Sequence, residues 1–140
     1  AALMLPAFWL FAASVLQPNP TSLGQPLGQE VRGVQRITRH PMLWSFALWA
    51  GVHLLAEGSL EGVLFFGAFL ATALLGMPSI DAKLRARDPE GFARLAQRTG
   101  IIPFAAGPVR WREIPARVWL AALAGWGLAL WWHPGALPPT

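Results

Sequence analysis

Arg32-Gly33-Val34-Gln35-Arg36-Ile37-Thr38-Arg39-His40-Pro41-Met42-Leu43-Trp44 leads into an apolar stretch that continues through Ala47, Gly51 and His53 to Ala56. Three arginines at the entrance, a His-Pro at the first turn and a long apolar body read as a helix entering a bilayer. Its charges stay at the surface and its proline sits where a helix tolerates one. Two of the three histidines in the chain lie on this one stretch.

The flanking sequence repeats the pattern. Of the 140 residues, 54% are hydrophobic and 13% charged, against about 25% charged in an ordinary soluble domain. Apolar runs alternate with short charged segments, which predicts an all-α polytopic membrane bundle, one membrane domain over residues 1–140, with the lipid bilayer as its first partner. Four spans are expected, at about 1–16, 36–56, 62–77 and 115–132. The first apolar run, Leu3 to Leu16, gives ~20 Å of helix, short for a bilayer, so this span is read as incomplete on its N-terminal side. Gln17-Pro18-Asn19-Pro20 ends it. Glu57 to Glu61 makes a tight hairpin, and Pro78-Ser79 is expected to break the third span. Small residues four apart, Ala47 with Gly51 and Gly67 with Ala71, predict close antiparallel packing of spans two and three.

Residues 79–114 form the expected extramembrane segment. Within it Asp88-Pro89-Glu90 carries an N-cap, a first-turn proline and an acidic first turn. Phe92, Leu95 and Ala96 then share one face, a short amphipathic helix expected to rest on the membrane surface. Pro115 opens the last span, which ends at His133-Pro134, with tryptophans near both ends. All 11 basic residues fall before span two or between Asp81 and Arg117. The positive-inside rule therefore places loops 17–39 and 79–114 in the cytoplasm, and hairpin 57–61 and the C-terminus outside. That distribution argues against nucleic-acid binding, despite a formal charge of +4. Zero cysteines exclude disulfides, thiolate metal sites and covalent c-type haem.

His40 and His53 lie thirteen residues apart, which on a straight helix is ~20 Å along and ~140° around the axis. They cannot grip one ion together, so each needs a partner from another helix. An ionisable side chain inside a span marks a ligand or a hydrogen bond to a neighbouring helix; for His53 both stand. His40 reads as a helix cap or a functional group, and His133 as terminal punctuation or a ligand. Arg36 and Arg39 suit solvated positive-inside charge, anionic headgroups or the propionates of a haem. Asp81 is placed to pair with Arg36 or Arg39, or to cap the surface segment.

The motifs Asn19 to Gly24, Gly33 to Trp44, His53-Leu54-Leu55-Ala56-Glu57-Gly58, Gly76 to Lys83, Arg98-Thr99, Ile102-Pro103-Phe104 and His133-Pro134 resemble the NnrU family in order and over nearly the whole chain. That family comprises bacterial membrane proteins associated with denitrification and relatives of the plant zeta-carotene isomerase. The resemblance implies a bacterial inner-membrane protein binding non-covalent haem b, in a redox or sensing role or in double-bond isomerisation of a polyene. It matches His53 to an axial haem ligand and His40 to the histidine of the Arg-His-Pro motif, with Arg39 and Arg36 beside it. The family takes its other axial histidine from an N-terminal helix, expected to be absent here, leaving His133 or a second copy as substitute. A rival reading is a non-catalytic accessory subunit of a larger membrane complex. A further one is an S-adenosylmethionine-dependent membrane methyltransferase of the isoprenylcysteine type, distantly similar through Arg39-His40-Pro41 and Glu90 to Pro103. That family's Tyr and Gly are replaced here by Leu43 and Ser45.

Overall fold

Among the described residues, proline and polar punctuation sets apart five α-helices. The computed structural model describes residues 1–22 and 25–133, and every regular element among them is helical. A 3-10 turn, Ala2–Met4, leads into α1 (Leu5–Leu16), where Pro6 occupies the first turn. The second apolar helix, α2 (Pro41–Ala56), begins at the proline and not near Arg36. The residue before a proline is sterically kept out of the α region, and His40 accordingly sits at φ −119°, ψ 56° as the N-cap. Gly33–Arg36 forms a separate 3-10 turn, entered at Gly33 with φ 55°, a conformation that glycine adopts without penalty.

The largest departure from expectation is α3 (Leu60–Arg87), 28 residues that run straight through Pro78. A proline inside a helix removes one hydrogen bond and crowds the carbonyl four residues earlier. Here the inward face continues past it at helical spacing through Ala73, Met77, Asp81 and Leu84, all buried. Packing along that face outweighs the one lost bond, and Lys83 to Arg87 become the end of a helix instead of a loop. The hairpin before α3 is as short as expected, with Ser59 capping the helix through the Gly62 amide.

Asp88 caps α4 (Pro89–Arg98) through the Gly91 amide. Its apolar face does not rest on a membrane surface: Phe92 and Leu95 pack against Leu84, Leu27 and Val31 in a small core of their own. The segment before α2 supplies this cover, so the amphipathic face is consumed inside the protein. A 3-10 turn, Trp111–Glu113, precedes α5 (Ala116–Trp132), which Pro115 opens as expected.

α1 packs on both α2 and α5, and α2 packs on α3 as the predicted antiparallel neighbour. The main core lies among Trp9, Leu10, Ala13, Val34, Ile37, Val118 and Ala122. The outer surface is apolar as well, with Leu64, Leu75, Leu120 and Leu128 among the exposed large side chains. Among the described residues α3 is the one helix long and apolar enough to cross a membrane, its best window having mean hydropathy 2.0 with 11% of it buried. α1, α2 and α5 are apolar but shorter, at 12, 16 and 17 residues. Contiguous exposed apolar surface of this kind marks a membrane or protein contact.

Candidate functional site

The predicted site residues separate into two clusters at opposite ends of α2. At the N-terminal end, Asp81 of α3 accepts from both sides. Arg39 Nε lies 3.0 Å from each of its carboxylate oxygens, and His40 Nε2 lies 2.8 Å from Oδ1. Arg39 Nη1 donates to the Thr99 carbonyl at 2.9 Å, and the guanidinium stands over the Phe92 ring. All three side chains are buried. Charge-assisted, bidentate bonds of this sort are the strong ones, provided the partners stay dry and aligned. Burial pushes the His40 imidazole below its usual pKa, against the pull of Asp81. A neutral His40 donates from Nε2 to Asp81, and its buried Nδ1 has no partner among the described residues.

Around this clasp the segment after α4 is tied to the entrance of α2. Arg39 N donates to the Gly100 carbonyl, Thr38 Oγ1 and Trp44 Nε1 both donate to the Ile101 carbonyl at 2.8 Å, and Phe104 N donates to the Ile37 carbonyl. Phe104 takes φ 66° to do so, an uncommon conformation for a bulky residue. Arg36 turns the other way. Its Nε meets Glu113 Oε2 at 2.8 Å, and the same oxygen accepts from the Gly33 amide. The Arg36 side chain and then the Gly33 amide hold the Glu113 carboxyl down at about 2. Gln17 joins the same knot through the Glu113 carbonyl and the Val34 amide. Glu113 and Gln17 were not found by sequence reasoning. Their partners lie up to 96 residues away, and no local spacing announces such pairs.

The second cluster lies ~18 Å further along α2 by helix rise. His53 Nδ1 is 2.8 Å from the Trp49 carbonyl one turn back. An imidazole donating there carries its free lone pair on Nε2, the tautomer in which histidines ligate metals. The ring stacks on Phe66 of α3 with centroids 5.0 Å apart, and faces His133 at the end of α5 with centroids 6.0 Å apart. Thus the structure brings together His53 and His133, the two candidate iron ligands, from α2 and α5. Two imidazoles flanking one ion at ~2 Å each would have centroids at about this separation. The pair lines a cavity of about 270 Å3 whose other walls include Met4, Phe8, Val52 and Trp126. A second cavity of about 320 Å3, walled by Phe11, Phe46 and Phe69, shares Met4, Phe8 and Trp49 with it. The two imidazoles are donors of the kind a haem iron would take, and the walls around them are mainly apolar. Arg36 and Arg39 are committed to carboxylates at the far end, away from His53.

Comparison with known proteins agrees with the order of motifs. The family model of the NnrU protein matches residues 1–138, and the chain belongs to that family. Two curated relatives are the chloroplastic 15-cis-zeta-carotene isomerases of Zea mays and Arabidopsis thaliana. Each is 35% identical over 74 residues, which cover 53% of this chain and 20% of the relative. The matched stretch thus spans about a fifth of the length of those relatives. No solved structure matches the chain.

Proposed function

We propose that this NnrU protein is a multi-pass protein of the bacterial cytoplasmic membrane that binds haem b between α1, α2 and α5 and isomerises a double bond of a polyene. The observation that carries the reading is the juxtaposition of His53 and His133 in an apolar cavity, with the His53 tautomer set by the Trp49 carbonyl. His53, through Nε2, and His133 are the residues that would hold the iron. Haem bound there supplies a redox-active Lewis-acid centre against which a conjugated bond can be loosened.

The remaining chemistry belongs to the chain. Phe66, stacked on His53, fixes the plane of the ring, and the bond to Trp49 prevents it from turning. Met4, Phe8 and Trp126 give the pair a mainly apolar wall. The adjoining aromatic cavity, with Ser45 as the polar residue in its wall, offers a hydrocarbon chain a mainly apolar slot. Similarity to 15-cis-zeta-carotene isomerases supports a polyene as substrate. Membrane residence is supported by the exposed apolar face of α3, and orientation by the gathering of all basic residues at one end of the bundle.

The reading is tested by reconstituting the haem-loaded protein in vesicles with 15-cis-zeta-carotene and resolving the isomers chromatographically, with the iron first oxidised and then reduced. Conversion at the central double bond, dependent on the iron's oxidation state and reduced to background in His53→Ala, is expected. A haem-loaded protein that turns over no polyene in either state would remove the isomerase role and leave a redox or sensing one.

A further inference from the structure

A groove on the opposite face of α1 from His53 takes no part in that site. Its walls include Leu5 and Trp9 of α1, Trp44 and Leu48 of α2, and Trp119 and Leu123 of α5, and it encloses about 720 Å3. That volume lies within the range of about 300–1,000 Å3 typical of built ligand sites. Phe104 and Trp111 form its mouth at the basic end of the bundle. Trp9, Trp111 and Trp119 stand with ring centroids 5.2 to 6.4 Å apart. The Trp9 indole N–H is buried with no hydrogen-bond partner among the described residues. That nitrogen is closed off from the groove, so the walls themselves ask only for an apolar occupant.

Charge at the mouth narrows the choice. Arg110 and Arg112 flank Trp111, and Arg117, in the first turn of α5, donates to the Leu16 carbonyl. The acid among them, Glu113, is already bonded by Arg36, and Arg110 reaches it at 3.7 Å. Positive charge is therefore in excess around an apolar slot, the complement of a negatively charged head on an apolar tail. Exposed Phe104 lines the same mouth and suits the depth at which headgroup meets acyl chain.

We propose that the groove holds one acyl chain of an anionic phospholipid from the cytoplasmic leaflet, with its phosphate between Arg110 and Arg112. The proposal rests on the membrane reading above, and on nothing about haem. It is tested with the full chain in phosphatidylcholine vesicles containing phosphatidylglycerol with a photoreactive acyl chain, the cross-linked peptides being mapped by mass spectrometry. Labelling of peptides bearing Trp9, Leu48 and Trp119 is expected to exceed that of the outward face of α3 at Leu64 and Leu75. Unlabelled phosphatidylglycerol should compete for it and phosphatidylcholine should not. Arg110→Gln and Arg112→Gln should each weaken that preference about fivefold, as loss of roughly 1 kcal/mol per basic residue predicts. Groove labelling no stronger than at α3, or indifferent to headgroup, would overturn the site while leaving the membrane reading intact. Absence of labelling at α3 as well would overturn both.

Discussion

Asp81 carries the charge of one arginine and the proton of one histidine inside the protein, so substitutions there separate pairing from packing. Asp81→Leu leaves the Arg39 guanidinium buried without a counter-charge, and is expected to cost about 3–5 kcal/mol. Combining it with Arg39→Met removes both charges and is expected to recover most of that loss, because a buried ion pair is often replaceable by apolar groups. Thermal unfolding of both variants in detergent is the check; a double variant no better than the single would place the cost in shape instead of charge. Glu113 offers a second reading, through pH. Its folded pKa of about 2 lies below the ordinary carboxylate value, so the stability from its bonds to Arg36 and Gly33 is full above about pH 4.5. It is lost as pH falls towards 2. Unfolding temperature should decline across that window, and Glu113→Gln should flatten the decline; an unchanged acid limb would contradict it. Sequence offered Asp81 as a partner of Arg36 or Arg39 or as a cap of the surface segment, and the Arg39 pairing is the one formed. It gave no hint of Glu113, 77 residues from Arg36.

Among the elements, Pro78 is where local rules and tertiary packing disagree. The proline marks a break by its missing N–H, yet α3 continues because Met77, Asp81 and Leu84 stay on a face that α2 and α4 cover. Restoring the N–H with Pro78→Ala should therefore leave the fold unchanged and raise the unfolding temperature. A fall would mean that the proline shapes the helix in a way the packing depends on. The start of α2 was legible to within a few residues, since His40-Pro41 dictates it sterically. The amphipathic period of α4 was legible as well. What covers its apolar face was not, because Leu27 and Val31 lie some sixty residues upstream in a segment without periodicity. A hydrophobic stripe tells that a face is buried, without telling against what.

For the molecule as a whole, apolar runs and one-sided charge revealed an all-helical chain with exposed apolar surface, and the adjacency of α2 and α3 followed from a short hairpin. The packing of α5 on α1, which no sequence interval encodes, brings His133 to His53. The two ends of the bundle then divide the work: ion pairs clasp the helices at the basic end, and the histidine pair occupies an apolar cavity at the other. Because the ends are separated by most of the length of α2, damage to the histidine pair should spare the clasp and with it the folded state. The most direct test is therefore the visible spectrum of the purified protein, oxidised and reduced, for wild type, His53→Ala and His133→Ala. A b-type Soret band that shifts on reduction is expected in the wild type, lost in His53→Ala and altered in His133→Ala, with both variants folded as judged by unfolding temperature. A wild-type protein that takes up no haem, or a spectrum indifferent to both histidines, would contradict the account.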